Sequence, residues 1–210
     1  HQKGDQMSVL IKVCGIKSQD EAKSVCEVNY NGKKVDFIGV ILAKSPRQVD
    51  LDTAKDIVNL AHSYNIKTVG VYDSKNLDEI LHSALEAKFD VVQIYTQASE
   101  QDFVKFSSNS IKLWQACSVS SKLPDLSQNC DLVLYDAKGV SLGGNGISFD
   151  WRLLDGVKGK FGLAGGLGAH NAKDALQIGA VLLDFNSKLE DKNMIKDPKK
   201  IYEILKIIKE

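Results

Sequence analysis

Residues 9–18 read Val-Leu-Ile-Lys-Val-Cys-Gly-Ile-Lys-Ser, and this segment separates two candidate folds. Apart from Lys12, its first part is an apolar, β-branched run, which predicts a buried strand followed by a turn. In a doubly wound dinucleotide-binding sheet, the first strand-to-helix turn carries the pattern Gly-x-Gly-x-x-Gly. The turn from Cys14 to Ser18 contains one glycine, Gly15. The segment therefore argues against a dinucleotide-binding sheet and leaves other folds with parallel strands.

The same strand pattern recurs along the whole chain of 210 residues. Short apolar runs alternate with segments of helical periodicity, which is typical of repeated βα units on a parallel sheet. We predict an α/β fold, a single (β/α)8 TIM barrel over residues 7–210, because eight such units can close into a barrel. Residues 1–6 precede Met7 and are interpreted as a remnant of an expression tag. The eight runs are Val9–Cys14, Val35–Ile41, Thr68–Val71, Val91–Ile94, Ile111–Ala116, Leu132–Tyr135, Phe161–Ala164 and Val181–Asp184.

The helical segments carry recognisable start signals, with one exception. Residues 18–21, Ser-Gln-Asp-Glu, predict a capping box at the start of the first helix, and Asp197 with Pro198 predicts the start of the last one. The interval from Cys117 to Asp131 instead contains Pro124 and no apolar stripe at helical spacing. We therefore expect the fifth crossover helix to be shortened or replaced by a loop.

Charge and cysteine usage exclude several classes of function. Lysine plus arginine number 27 and aspartate plus glutamate number 27, so no bulk positive field is present to bind nucleic acid. No apolar run reaches the roughly 18 residues of a membrane-spanning helix. Neutral charge is compatible with a monomer or a homodimer. Wide spacing of the cysteines predicts free thiols in a reducing, cytoplasmic compartment; they are Cys14, Cys26, Cys117 and Cys130.

Active sites of (β/α)8 barrels lie at the carboxyl ends of the strands, so residues there are the candidates for chemistry. Cys14 ends the first run and is either a reactive thiolate or a small buried apolar residue. Lys12, two residues earlier on the same side of the strand, is a cationic neighbour. Asp136 ends the sixth run and is either a general acid or a loop-capping carboxylate. No histidine ends a run and no metal-ligand motif occurs, so we predict no metal site.

Two further groups of residues could bind an anionic substrate. Arg47 follows the second run, where its planar guanidinium could bind a carboxylate through two hydrogen bonds; a solvent-exposed arginine is the alternative. Gly165 and Gly166 follow the seventh run, where barrels commonly present backbone amides to a phosphate. Asn186 and Ser187 follow the eighth run and would complete this phosphate site. A turn that requires positive φ is the alternative for the glycine pair.

In order along the chain, these segments resemble the phosphoribosylanthranilate isomerase family. The resemblance covers essentially residues 9–205, and although each motif is weak alone, the ordered set is specific. The motifs are Lys12-Val13-Cys14-Gly15-Ile16, Lys44-Ser45-Pro46-Arg47, Val69-Gly70-Val71, Asp136, Gly143-Gly144-Asn145-Gly146 leading into Phe149-Asp150-Trp151, Leu163-Ala164-Gly165-Gly166-Leu167 and Ile195-Lys196-Asp197.

The resemblance implies an Amadori rearrangement of a small phosphorylated substrate, N-(5′-phosphoribosyl)anthranilate, in tryptophan biosynthesis, without cofactor or metal. It implies Asp136 as the general acid that opens the furanose ring and Cys14 as the base that removes the C2′ proton. Arg47 would bind the anthranilate carboxylate. The phosphate would be bound by Gly165, Gly166, Asn186 and Ser187.

The chain departs from the family pattern at two places. Tyr95 stands where the family commonly has histidine, and the loop after the eighth run lacks the family's glycine after Ser187. Two alternatives therefore stay open. One is another phosphosugar barrel, such as the histidine-pathway isomerase, in which an aspartate stands in place of Cys14. The other is a barrel that binds a phosphorylated metabolite without converting it.

Overall fold

Eight parallel strands form a closed barrel in sequence order, with β8 hydrogen-bonded to β1, which confirms the predicted fold class. The computed structural model describes residues 8–126, 128–136 and 150–210. The single-domain prediction for residues 7–210 stays a prediction, and the predicted tag remnant, residues 1–6, lies outside the described residues. The strands are β1 Leu10–Val13, β2 Phe37–Ile41, β3 Lys67–Tyr72, β4 Val91–Ile94, β5 Lys112–Ser118, β6 Leu132–Asp136, β7 Phe161–Ala164 and β8 Leu182–Phe185.

Alternation along the strands divides the apolar residues into two clusters, because successive strand side chains point to opposite faces of the sheet. One cluster fills the barrel interior and includes Val69, Phe37 and Trp114, the last two of which pack edge to face with ring centroids 5.0 Å apart. The other cluster, which includes Ile38 and Leu183, lies between the barrel and the helices. Both faces of each strand are thus buried, which explains the nearly continuous apolar runs in the sequence.

Six α-helices surround the barrel within the described residues, and none of them is long and apolar enough to cross a membrane. Between β5 and β6, residues 119–126 and 128–131 contain no helix, which confirms the predicted loop at the fifth crossover. The helices are α1 Gln19–Cys26, α2 Leu51–Ser63, α3 Leu77–Ala87, α4 Glu100–Ser108, α5 Ala172–Gln177 and α6 Pro198–Lys209, with short 3₁₀ helices at Trp151–Leu154 and Ser187–Leu189.

The start of α1 corrects one prediction. Ser18 caps the helix as expected, because its hydroxyl accepts the Glu21 backbone N–H at 3.0 Å. The second half of the predicted capping box is wrong. The Glu21 carboxylate accepts the backbone N–H groups of Lys17 at 2.7 Å and of Lys196 at 2.8 Å. Glu21 therefore connects the start of α1 to the segment that precedes α6.

One type of side chain-to-backbone hydrogen bond recurs at the amino-terminal rim of the barrel. The aspartate immediately before β2, β4 or β6 accepts a backbone N–H from the strand that precedes it. Each bond satisfies a donor that would otherwise lie unpaired near the end of a buried strand. The three pairs are Asp36 with Ile11 at 2.8 Å, Asp90 with Thr68 at 2.7 Å and Asp131 with Leu113 at 2.8 Å.

Candidate active site

Cys14 and Asp136 both lie at the carboxyl-terminal rim, as predicted. Cys14 directly follows β1 and is 7% exposed, and Asp136 is the last residue of β6 and is 9% exposed. Cys14 packs against the cluster in the barrel interior. Because β6 lies three strands from β1 along the barrel wall, the two residues stand on different sides of the same opening.

A layer of buried polar side chains lies below Cys14. Lys12 is two residues earlier on the same face of β1 and is completely buried. Its ammonium donates to Asp184 Oδ2 at 2.8 Å and to Gln93 Oε1 at 2.7 Å. Burial alone would lower the pKa of Lys12, but the Asp184 carboxylate, with contributions from Cys14 and Tyr95, outweighs burial, so the pKa is raised and the ammonium stays charged. The other carboxylate oxygen of Asp184, Oδ1, is buried without a hydrogen-bond partner within the structure.

Gly39 of β2 provides the space that Cys14 and Lys12 occupy. A Cβ atom at this position would lie 2.7 Å from Cys14 Sγ and 2.9 Å from Lys12 Cε. Either distance is too short for carbon against a neighbouring heavy atom, so a larger residue would displace one of the two side chains. Gly39 therefore allows the thiol and the lysine stem to lie side by side against β2.

The thiol of Cys14 is in an environment with opposing charges. Burial raises its pKa, the Lys12 ammonium lowers it, and the Asp184 carboxylate raises it again. The net direction is upward from the ordinary thiol value. Lys12 is thus the cationic neighbour that the sequence indicated, but it does not by itself bring the pKa below its usual range.

Arg47 is held by a second buried carboxylate, Glu190, which is 6% exposed. Its Nε donates to Glu190 Oε2 at 2.8 Å and its Nη2 donates to Oε1 at 2.6 Å. Lys196 donates to the same carboxylate at 2.7 Å and to Asn186 Oδ1 at 3.1 Å. Glu190 thus binds two cations at this side of the rim. Among the described contacts none uses the Nη1 end of the guanidinium.

Close packing around Gly15 connects Arg47 to the loop after β8. Gly15 has φ +84, and a Cβ there would lie 2.6 Å from Arg47 Cδ and 2.8 Å from Asn186 Oδ1. Glycine is thus required at position 15, directly after the first predicted strand, by its positive φ and by this close approach. The structure therefore brings Cys14, Arg47 and Asn186 to one side of the opening.

The residues predicted to bind phosphate lie in the adjoining loops after β7 and β8. Gly165 and Gly166 both adopt positive φ, at 96° and 68°. Asn171 fixes their loop, because its side chain donates to the Gly166 carbonyl at 3.0 Å and accepts the Gly168 N–H at 2.9 Å. Ser187 is exposed and begins a 3₁₀ helix.

Tyr95 interacts electrostatically with both candidate catalytic groups. It is partly buried against the barrel interior. Burial and then the nearby Asp136 carboxylate raise the pKa of its hydroxyl, and Cys14 adds to this shift. The phenol therefore stays protonated and can donate a hydrogen bond at the position where the family commonly has histidine.

Some predicted features lie outside the described residues, namely the glycine-rich segment 143–146 and Phe149. In the described parts of the chain, no cluster of three or more His, Cys, Asp or Glu side chains is arranged to hold a metal ion. Sequence reasoning did not assign Asp184, Glu190 and Gln93 to the site. A signal for Asp184 was its place at the end of the eighth run, at the same rim as Cys14.

Comparison with known proteins identifies the family. The family model of N-(5′-phosphoribosyl)anthranilate (PRA) isomerase matches residues 11–207. The chain is 44% identical over 201 residues to the N-(5′-phosphoribosyl)anthranilate isomerase of Campylobacter jejuni, which covers 95% of this chain and 98% of that relative. The chain belongs to the PRA isomerase family. It is thus an isomerase enzyme of tryptophan biosynthesis, as the sequence motifs indicated.

Solved PRA isomerases share the fold. The enzyme from Thermotoga maritima superposes with a TM-score of 0.78 at 24% identity, over 96% of this chain and 98% of that one. Another PRA isomerase structure, with a TM-score of 0.73 at 22% identity, over 96% of this chain and 98% of that one, was solved in complex with reduced 1-(o-carboxyphenylamino)-1-deoxyribulose 5-phosphate.

Proposed function

We propose that this rim catalyses the Amadori rearrangement of N-(5′-phosphoribosyl)anthranilate to 1-(2-carboxyphenylamino)-1-deoxyribulose 5-phosphate, with Cys14 as general base and Asp136 as general acid. The observation that carries the proposal is the position of Cys14. Cys14 is a buried thiol at a strand end, and the Lys12 ammonium is fixed in the layer below it. The same carboxyl-terminal rim also contains Asp136 and Arg47.

The reaction needs an acid at the furanose ring oxygen and a base at C2′. Asp136 would donate a proton to the furanose ring oxygen, so that the ring C–O bond breaks and a protonated Schiff base forms at C1′. Cys14, as thiolate, would then remove the proton from C2′, and the electron pair of that C–H bond would give the enolamine. The enolamine then tautomerises: the C2′ hydroxyl loses its proton, its O–H electron pair forms the C=O bond, and C1′ gains a proton to give the ketone. Each proton transfer typically contributes about 10²–10⁴-fold to the rate.

The remaining residues would bind the two anionic ends of the substrate. The Nη1 end of Arg47 would bind the anthranilate carboxylate, while Glu190 holds the opposite edge of the guanidinium. Gly165, Gly166, Asn186 and Ser187 would form the phosphate site. Positive φ at both glycines turns their backbone, which is the geometry used in many anion-binding loops.

We further infer a monomer or a homodimer that acts on this small phosphorylated substrate and not on nucleic acid or a membrane. A PRA isomerase of Thermotoga maritima is dimeric. We also infer a cytoplasmic location. The four cysteines are free thiols, and three of them are buried, which is consistent with a reducing compartment.

The test generates phosphoribosylanthranilate in situ and follows the loss of its fluorescence. We expect turnover by the wild type and a loss of about 10²–10⁴-fold in both Cys14→Ala and Asp136→Asn, since each removes one proton-transfer group. Cys26→Ala is the matched control, because Cys26 is a buried thiol on α1, away from the opening, and its loss should leave kcat unchanged.

Two results would contradict the proposal. Full activity of Cys14→Ala would exclude the thiol as the base. A wild type that binds the product tightly but does not turn the substrate over would instead indicate a barrel that binds phosphorylated metabolites without catalysis.

A further inference from the structure

We propose that Lys12 is a positioning residue whose buried ammonium, held by Asp184 and Gln93, stabilises the Cys14 thiolate from the layer below. This inference rests on the proposed role of Cys14 as the base. It adds Lys12, Asp184 and Gln93 to the residues that control the reaction, although none of them needs to contact the substrate.

The geometry fixes where the positive charge lies. Lys12 is 0% exposed, and its side chain has no route to solvent. Two hydrogen bonds, to Asp184 Oδ2 at 2.8 Å and to Gln93 Oε1 at 2.7 Å, hold the ammonium in the barrel interior. Because Lys12 and Cys14 are two residues apart on one strand, their side chains leave the same face of the sheet. The space left by Gly39 keeps the two side chains adjacent.

A purely structural role explains this arrangement poorly. A buried ion pair usually contributes little net stability, because removing both charges from water costs about as much as their attraction returns. The pair is also incomplete, since Asp184 Oδ1 is buried without a hydrogen-bond partner within the structure. A lysine fixed one layer below a thiol that must ionise instead supplies a counterion at the place where negative charge forms.

The thiol is surrounded by groups of both signs, so the contribution of Lys12 must be separated from theirs. Lys12 and Asp184 act in opposite directions on the thiolate. The titratable and charged groups that face Cys14 are Lys12 of β1, Asp184 of β8, Lys196 before α6, Arg47 after β2 and Tyr95 after β4.

The opposite signs provide a sharp experiment. The Cys14 pKa is measured from the ultraviolet thiolate absorbance of each protein minus that of its Cys14→Ala derivative, as a function of pH. Lys12→Met should raise the pKa of Cys14 and Asp184→Asn should lower it. A nearby charge, of either sign, moves a pKa by roughly 1–3 units. At a fixed pH below the pKa, the fraction of Cys14 present as thiolate should therefore fall about tenfold or more in Lys12→Met and rise about tenfold or more in Asp184→Asn.

The pH dependence of kcat/KM provides the second measurement. The pKa that defines the acidic limb of this profile should follow the pKa of Cys14. It should shift toward higher pH in Lys12→Met and toward lower pH in Asp184→Asn. Gln93→Leu is the matched control, because it removes a hydrogen bond to Lys12 without changing the charge, and it should move the Cys14 pKa less than either variant.

Shifts in the same direction for both charge variants, or no shift in either, would overturn the proposal and leave the pair a structural one. If Lys12→Met does not fold, Lys12→Gln takes its place, because its amide can still donate to Asp184 and Gln93 without the charge; it should also raise the pKa of Cys14. Failure of the proposed function is separate, because it would appear as full activity of Cys14→Ala while the thiol titration could still respond to Lys12.

Discussion

The two rims of the barrel use carboxylates for different purposes. At the amino-terminal rim, Asp36, Asp90 and Asp131 each accept a backbone N–H group of a neighbouring strand. At the carboxyl-terminal rim, Glu190 accepts from the side chains of Arg47 and Lys196. The amino-terminal rim uses its carboxylates to complete backbone hydrogen bonding, and Asp36 and Asp90 also contact the basic side chains of Lys209 and His62. The carboxyl-terminal rim uses Glu190 to hold two positive charges beside an opening.

The difference shows what each rim requires of its acidic residues. A backbone N–H is neutral, so any oxygen acceptor of similar shape satisfies it. Two nearly buried cations need a negative charge, because an uncompensated ion in the protein interior is strongly unfavourable. Charge is therefore essential for Glu190, whereas hydrogen-bond geometry is sufficient for the backbone N–H groups at the amino-terminal rim.

Replacing one carboxylate with an amide at each rim should give the largest difference between the rims in the free energy of unfolding. We expect Glu190→Gln to lower the free energy of unfolding by about 3–5 kcal/mol at neutral pH, because Arg47 and Lys196 lose their counter-charge. Asp90→Asn should cost less than about 1 kcal/mol, because its side-chain carbonyl can still accept the Thr68 N–H. Urea denaturation of both variants and the wild type measures the difference, and equal losses would contradict this comparison.

The contribution of Glu190 should also depend on pH. Burial would raise its pKa, but hydrogen bonds from Arg47 and Lys196 outweigh burial and lower the pKa from 4.5 to about 2. A lowered pKa means that the stabilisation is fully present above the unfolded-state value and is lost as the pH falls through the folded-state value. The gap in stability between wild type and Glu190→Gln should therefore narrow as the pH is lowered from 4.5 toward 2.

Replacing Arg47 tests whether the held guanidinium binds substrate. Lysine carries one charge but lacks the planar fork, so it cannot bind Glu190 along one edge and a second carboxylate at the other end. A hydrogen bond between charged groups contributes about 1.5–3 kcal/mol, so Arg47→Lys should raise KM by roughly 10- to 100-fold with a smaller effect on kcat. Steady-state kinetics by the fluorescence assay measure both constants.

The control for this substitution is Arg152→Lys. Arg152 also binds a carboxylate, that of Asp150, but its side chain is 86% exposed on the protein surface. The Arg152→Lys variant should therefore have the KM of the wild type. An unchanged KM in Arg47→Lys as well would exclude Arg47 from substrate binding.

The sequence predicted the barrel because the information for each βα unit is local. A β-branched run such as Val91–Ile94, or a capped helix such as Pro198–Lys209, is specified by neighbouring residues, and repetition of the unit then indicates closure. The missing fifth helix was predictable for the same reason, since the residues between β5 and β6 lack an apolar stripe. Cys14 and Asp136 were found because strand ends at one rim are brought together in every barrel of this type.

The ion pairs of the site could not be predicted in the same way. Lys12 and Asp184 are 172 positions apart, and Arg47 and Glu190 are 143 positions apart, so the pairs form only when the barrel closes. The sequence pointed to Lys12 as a neighbour of Cys14 but could not reveal that an aspartate would hold its ammonium. For Arg47 it suggested a guanidinium that binds a substrate carboxylate or faces solvent, whereas the structure places Glu190 on its Nε–Nη2 edge, and no contact among the described residues uses Nη1.

The smallest expected effect tests the amino-terminal rim alone. Asp131→Ala removes the acceptor of the Leu113 N–H, and we expect it to lower the free energy of unfolding by about 1 kcal/mol, since water can reach the rim once the carboxylate is gone. Its kcat/KM should equal that of the wild type, because Asp131 lies at the end of the barrel opposite Cys14. Amide hydrogen exchange at Leu113 should become faster.

Asp78→Ala, which removes a carboxylate that is 73% exposed on α3, should change neither stability nor exchange at Leu113. A loss of turnover in Asp131→Ala without loss of stability would show that the two rims are coupled, and the division of roles between them would then be wrong.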